Sequence, residues 1–328
     1  MAAPTYDLPD DAVAQTPVEP RDAARLLVDR SDDVPAHHHV RDLPGLLREG
    51  DVVVVNESKV LPARLRLRKA TGGAVEVLLL EEVGEGWWEA LVRPGRRLPP
   101  GTVIDAGDLV VRIGDRLEGG SRRVRVEADD VDAALARHGE VPLPPYITTP
   151  LADPDRYQTV YARQPGSVAA PTAGLHLTDA VLDGLRARGI EVVTVDLHVG
   201  LDTFRPVTAA RIEDHAVHAE RYAVPDATLA AVERAARVVA VGTTTVRALE
   251  SAAATGEPAG RTRLLIHGEY DWRVVDVLLT NFHLPRSTLL LLIESFIGPR
   301  WRDLYAIALA EGYRFLSFGD AMLLERRR

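Results

Sequence analysis

The most regular hydrophobic pattern begins at residues 51–60, DVVVVNESKV, where an unbroken apolar run gives way to polar residues. Such a run predicts a strand buried on both faces that feeds a loop. Directly after it, ARLRLRK alternates Arg64, Arg66 and Arg68 with Leu65 and Leu67. Period two gives a strand with one basic and one apolar face. The short runs AVEVLLL, WWEALV, LVVRI and RRVRVEA follow, broken by TGG, RPGRRLPPG and LEGG, and the Pro-rich VPLPPYI at 141–147 ends the series. Short strands punctuated by glycine and proline predict a small β-barrel or sandwich. We place it at 63–145, inserted into a larger domain made of 1–62 and 146–328.

Beyond residue 165 the period changes. TDAVLDGLRARG (178–189) sets Thr178 as an N-cap, Val181, Leu182 and Leu185 on one face, and Gly189 as the stop. The strand IEVVTVDLHV follows. Helix DATLAAVERAAR (226–237), strand VVAVG and helix TTVRALESAAA repeat the unit. RLLIHGEY and VVDVLLTNF read as strands, STLLLLIESF and WRDLYAIALAEG as helices, and FLSF with AMLLE as a last strand-like stretch. Helices alternating with apolar strands predict an α/β domain whose central sheet is covered by helices on both faces.

Composition narrows the class. With 328 residues, 46% hydrophobic and 27% charged, the chain is an ordinary globular protein large enough for two domains. The apolar run around Leu289–Ile293 is far short of the roughly 20 residues a membrane span needs. Asp7, Asp10 and Asp11 deny the N-terminus the basic start of a secretory signal, so a cytoplasmic location is expected. The absence of cysteine excludes disulfides, thiolate metal sites and a cysteine nucleophile. A net charge of −9 argues against indiscriminate nucleic-acid binding, while leaving room for a local basic surface. Lysine is confined to Lys59 and Lys69.

Ligands of open α/β sheets collect at the C-terminal ends of strands. Four polar clusters fall at such ends: Asn56 to Lys59, His198 with Gly200, Gly242 to Thr245 with Arg247, and Asn281 with His283. VAVGTTTVRALES runs from strand through glycine and three threonines into a helix, so backbone N–H groups and hydroxyls point outward in a way that favours an anion such as a carboxylate or phosphate; the equal alternative is a Thr-capped helix after a tight turn, with Arg247 a surface residue. A second glycine and a lysine are missing, so it is not a P-loop. In LLTNFHLPRST an amide and an imidazole lie side by side, which suits the edge of a heterocyclic base; the bland alternative is loop packing. SVAAPTAGLHLT (167–178) holds His176 on a loop beside Gly174, just ahead of a helix start, where a ligand would meet it. His215, His218 and Glu220 have a spacing compatible with a metal, but no third ligand or His-x-x-x-His signature accompanies them, and no metal site is expected. His37 to His39 read as a solvated stretch.

Taken in order, the motifs resemble one family. YDLPDDAVAQTPVEPRDAARLLV, GDVVVVNESKVLPARL, PLPPYI, RYQTVYARQPGSVAAPTAGLHLT, LHVGLDTFRPV, HAVHAERY, VGTTTVRALES, LLTNFHLPRSTLLLLI and YRFLSFGDAML span nearly the whole chain. Together they are similar to the S-adenosylmethionine:tRNA ribosyltransferase-isomerases of queuosine biosynthesis. The resemblance implies transfer and isomerisation of the ribosyl part of S-adenosylmethionine onto 7-aminomethyl-7-deazaguanine at the wobble position of a tRNA with a GUN anticodon. Epoxyqueuosine forms, and adenine and methionine leave. It implies an α/β domain carrying an inserted β-barrel, no cofactor or metal beyond the co-substrate, and no obligate protein partner.

This chemistry makes demands on residues. The sulfonium acidifies the adjacent ribose C5′ proton, so a histidine base suits its removal, and His176 and His198 are the candidates. Adenine leaves with the help of an acid or strong hydrogen-bond donor, for which His283, Glu220 or Asp320 would serve. The methionine carboxylate suits Thr243, Thr244 and Arg247, and Lys59 and Arg64 suit the tRNA phosphate.

Departures from the family pattern concentrate in TRLLIHGEY, with Arg263 in place of an aspartate and Leu265 in place of a phenylalanine. Leu177, Asp202, Val217 and IESFIG also depart. A segment 261–271 lining the pocket would imply a different acceptor. The competing readings are a divergent homologue acting on a free nucleoside or another RNA, and an inert RNA-binding scaffold.

Overall fold

The computed structural model describes residues 3–30, 34–200, 212 and 218–327. Along the chain, β1 (Arg25–Asp29), β2 (Ala36–His39), α1 (Leu43–Leu46) and β3 (Asp51–Asn56) come first. Next are β4 (Ser58–Val60), β5 (Arg64–Arg68), β6 (Ala74–Gly84), β7 (Trp87–Arg93), β8 (Val103–Asp105), β9 (Val110–Arg116), β10 (Arg122–Glu127), α2 (Val131–His138), β11 (Gly139–Glu140) and β12 (Gln164–Ser167). The C-terminal half holds α3 (Asp179–Ala187), β13 (Glu191–Leu197), β14 (Glu220–Ala223), α4 (Asp226–Arg234), β15 (Arg237–Val241) and α5 (Thr243–Thr255). It ends with β16 (Ala259–Thr262), β17 (Val277–Asn281), α6 (Thr288–Ile297), α7 (Trp301–Ala310) and β18 (Ala321–Glu325).

Two compact units result, one of residues 1–58, 144–164 and 170–328, the other of 59–143 and 165–169. The larger holds a nine-stranded mixed sheet in the order β16-β14-β13-β3-β15-β17-β18-β1-β2. Its centre is parallel: β13 pairs with β3, β3 with β15 and β15 with β17 in one direction. β18 runs antiparallel to β17 and parallel to β1. Every residue of β3 is buried, because it has strands on both edges and helices on both faces. Val53 and Val55 join one apolar cluster with Val181, Leu182 and Leu185 of α3. Val52 and Val54 alternate to the other side, where α4 and α5 pack on β3.

The smaller unit is a curled seven-stranded antiparallel sheet in the order β11-β5-β6-β7-β10-β9-β8. Among the described residues no ladder joins β8 to β11, so the pairing is open, a half-barrel. In β5, Leu65 and Leu67 are buried while Arg66 and Arg68 are exposed, as the alternation predicts.

The cap of α3 is as read: the Thr178 hydroxyl accepts from the Val181 N–H. Several elements differ from the pattern reading. RLLIHGEY is not a strand; the strand of that region is β16, and side chains satisfy the backbone that follows it. Thr262 Oγ1 accepts from Leu264 N, and the Glu250 carboxylate accepts from the N–H groups of Arg273, Val274 and Val275. Helix 226–237 stops at Arg234, and Arg237 opens β15 instead. FLSF is a turn, with Leu316 at positive φ and only Phe315 bridged, to Val13. The strands β1, β2 and β8 and helix α2 carry patterns too short to stand out. His37 to His39 are solvated as read, on the edge strand β2 with His37 and His39 exposed. Among the described residues no helix is long and apolar enough to cross a membrane.

Candidate active site

Because β13, β3, β15 and β17 are parallel neighbours, their C-terminal ends at Leu197, Asn56, Val241 and Asn281 form one crest of the sheet. A cleft of about 660 Å³, counting its open mouth, lies at this crest. Thr243 and Thr244 enter it from the first turn of α5, Asn281 and His283 from the end of β17, and Thr172 from the turn Thr172–His176. Gly242 makes the reversal between β15 and α5 at φ +86°, where a side chain would be strained.

The walls carry no net charge among the described residues. Among the described residues no lysine, arginine, aspartate or glutamate lines the cleft, which is apolar apart from hydroxyls, amides and one imidazole. That imidazole, His283, has Nε2 2.9 Å from Thr280 Oγ1. Its backbone is pinned too: its N–H donates to the Tyr305 hydroxyl, and its carbonyl accepts from Tyr6. Burial pushes its pKa down to about 3, so it is neutral.

Two asparagines organise the crest. Asn56 accepts from Leu197 N (3.0 Å) and donates to Leu197 O (2.9 Å), with a longer bond of 3.3 Å to Thr244 Oγ1. It clips the end of β13 to β3 and fixes Thr244. Asn281 Nδ2 lies 3.0 Å from His176 Nε2, 3.1 Å from Leu316 O and 3.4 Å from Asp320 O, so its two hydrogens are shared among these three, and its Oδ1 accepts from Thr172 Oγ1 (3.3 Å).

The remaining sequence-derived residues lie elsewhere. His176 does not line the main cleft; it is buried and lines a smaller recess with Arg21 and Arg156. His198 continues β13 with its Nε2 3.1 Å from Asp196 Oδ2, one-fifth exposed, outside the lining of the cleft. Glu220 accepts from Gly200 N and is ion-paired with Arg247, whose Nε donates to Leu264 O. Arg247 is therefore committed to a protein carboxylate, and the helix start that it was expected to supplement stands without it. Asp320 is buried with Oδ1 accepting from Arg25 N and Oδ2 from Arg314 N, which makes it a clamp on the turn 314–320; burial raises its pKa against those bonds. Lys59 and Arg64 belong to the smaller unit, Lys59 exposed on β4.

His215, Asp202 and Val217 lie outside the described residues, and His218 is exposed. Among the described residues no group of three His, Asp or Glu side chains is placed to hold a metal. None of residues 261–271 lines the cleft, so the reversed charge at Arg263 does not reach it.

Four polar cleft residues escaped the sequence reading: Tyr146, Thr172, Thr280 and Ser317. The Tyr146 hydroxyl is 2.7 Å from Ser317 Oγ, and burial pushes its pKa up to about 12. Tyr146 stands in PLPPYI, read as the end of the strand series and as one of the family motifs. Its side-chain direction was not legible from the proline run around it.

A crest of parallel strand ends beside a hydroxyl-lined cleft defines an α/β protein with a candidate ligand site where open sheets of this kind collect their ligands. Residues 2–324 match the family model described as queuosine biosynthesis protein, and the chain belongs to that family. A protein of Rubrobacter xylanophilus named S-adenosylmethionine:tRNA ribosyltransferase-isomerase is 54% identical over 97% of this chain and 96% of its own. A Thermus thermophilus protein of the same name is 52% identical over 99% of each. The crystal structure of an S-adenosylmethionine tRNA ribosyltransferase from Thermotoga maritima is 37% identical, covers 97% of this chain and 98% of its own, and superposes with a TM-score of 0.56.

Proposed function

We propose that this protein is an S-adenosylmethionine:tRNA ribosyltransferase-isomerase, a cytoplasmic enzyme of queuosine biosynthesis. It moves the ribosyl part of S-adenosylmethionine onto 7-aminomethyl-7-deazaguanine at the wobble position of a GUN-anticodon tRNA, isomerises it to epoxyqueuosine, and releases adenine and methionine. The observation that carries this reading within the fold is the uncharged cleft at the crest of the parallel strands, with a neutral imidazole and a fixed amide on one wall.

That wall suits adenosine. Neutral His283 and the Asn281 carbonyl offer donors and acceptors to the edge of the purine, so the leaving adenine is stabilised by hydrogen bonds. Thr243 and Thr244 at the start of α5 present hydroxyls and N–H groups to the anionic end of the co-substrate. His198 is the base in this reading: it follows the end of β13 on the crest, just outside the described lining of the cleft, and Asp196 beside it orients the ring and stabilises the imidazolium that forms when the C5′ proton is taken. Lys59 and Arg64 on the inserted half-barrel domain hold the tRNA backbone. S-adenosylmethionine is consumed, so no bound cofactor or metal takes part in this scheme.

The test is release of adenine from S-adenosylmethionine in the presence of tRNA bearing the deazaguanine precursor. Release with the free base but none with the tRNA overturns the proposed acceptor. Release that survives His198→Ala within about tenfold removes His198 from the base role, since general acid-base catalysis contributes roughly 10² to 10⁴.

A further inference from the structure

We infer that His176 is a positioning residue that acts through Asn281, holding that amide so that its carbonyl oxygen and the Thr172 hydroxyl face the substrate cleft. The inference rests on the reading of this cleft as the S-adenosylmethionine site. Its starting point is that Asn281 lines the cleft whereas His176 lines the recess behind it, the two spaces sharing Ser317 as a wall.

The orientation of the Asn281 amide follows from its partners. Nδ2 is within 3.1 Å of Leu316 O and 3.4 Å of Asp320 O, both backbone carbonyls that can only accept. The nitrogen must therefore be on that side, and the same NH2 group donates to His176 Nε2 at 3.0 Å. His176 Nε2 is then an acceptor, and the ring is neutral with its proton on Nδ1. A protonated ring would set N–H against N–H. The charges around it agree: Arg156, Arg314 and Arg21 oppose a further cation, and burial, the larger cause, pushes the pKa down to about 4. The lone pair a base would use is already occupied by Asn281. What His176 fixes is the far side of the amide, where Oδ1 accepts from Thr172 and keeps a second lone pair.

Glutamine places its terminal amide near the position of the histidine Nε2, so His176→Gln keeps an acceptor for Asn281 whereas His176→Ala does not. We expect His176→Ala to lower kcat/KM for S-adenosylmethionine about tenfold, the scale of one lost hydrogen bond to a neutral partner. His176→Gln restores most of it, and adding Asn281→Ala to His176→Ala costs little more than the worse single change. The pH profile of kcat/KM keeps its shape in His176→Ala. Nitrogen-15 NMR of the histidines at pH 7 shows the His176 ring as the Nδ1–H tautomer, and Asn281→Ala alters that signal. Loss of the acidic limb of the profile in His176→Ala, failure of His176→Gln to rescue, multiplied losses in the double variant, or an Nε2–H tautomer would each overturn the inference. If the native protein releases no adenine, the functional reading fails instead, and the NMR experiment still decides the relation between the two side chains.

Discussion

The side chain of Asn56 is bonded to both backbone groups of Leu197, accepting from its N–H at 3.0 Å and donating to its carbonyl at 2.9 Å. The two residues are 141 positions apart, and the pair joins the ends of β3 and β13 where the cleft begins. Asn56→Ala leaves a buried N–H and a buried carbonyl without these partners. The expected loss is about 2 to 6 kcal/mol, from roughly 1–3 for each of the two unsatisfied buried groups. Urea unfolding measures it, and the KM for S-adenosylmethionine rises because Thr244 loses its support.

The reversed charge of Arg263 is a departure without a path to the cleft, since none of residues 261–271 lines it. Arg263→Asp is expected to leave the KM for S-adenosylmethionine within about twofold and stability within about 0.5 kcal/mol, as for an exposed substitution. A tenfold rise in that KM would show that the segment does meet the co-substrate.

Glu250 does in that region what a strand ladder would otherwise do. Its fully buried carboxylate accepts from three successive N–H groups, Arg273, Val274 and Val275. Glu250→Gln removes the charge from these bonds, and a loss of about 2 kcal/mol follows from the difference between charged and neutral acceptors and the poorer fit of an NH2 group. Thermal unfolding detects it. Adenine release at a temperature well below the transition stays close to native, because the carboxylate does not border the cleft.

Stability should fall with acid in a defined window. Burial depresses His176 to about 4 and His283 to about 3, against 6.5 for the free side chain. Between those values and 6.5 the unfolded chain binds more protons, so stability rises with pH there and is lost as pH falls from about 6.5 toward 4. Denaturant midpoints at pH 7, 6 and 5 follow the loss, and His176→Gln and His283→Gln each flatten the slope. A slope unchanged in both variants would place the titrating groups elsewhere.

The Asp196–His198 pair gives the remaining prediction. Asp196→Asn keeps the shape of the pair but removes the charge that steadies an imidazolium, so kcat drops by about 10²-fold or more while the KM for S-adenosylmethionine changes little. Single-turnover measurement of adenine release separates the two.

Much of this was written in local pattern. The buried run of β3, the two-faced β5 and the Thr178 cap follow from the period of apolar residues and from one hydroxyl at one position. The four polar clusters at strand ends were also legible, because a sheet with parallel strands puts those ends on one side. Other features were not. RLLIHGEY has the composition of a strand, but the Glu250 carboxylate takes the backbone donors just beyond it. Tyr146 was hidden in a proline run that says nothing about where its hydroxyl points.

By itself, then, the sequence determined the alternation of helices and strands, the separate antiparallel sheet, the family and the crest on which a ligand would sit. Those depend on interactions between near neighbours and on period. Tertiary structure decided which candidate faces the cleft: His283 lines it, His176 stands behind Asn281, 105 residues away in sequence, and Arg247 is taken up by Glu220. The physical reason is that a buried polar side chain is defined by the partner that satisfies it, and those partners arrive from distant parts of the chain only when the sheet is assembled.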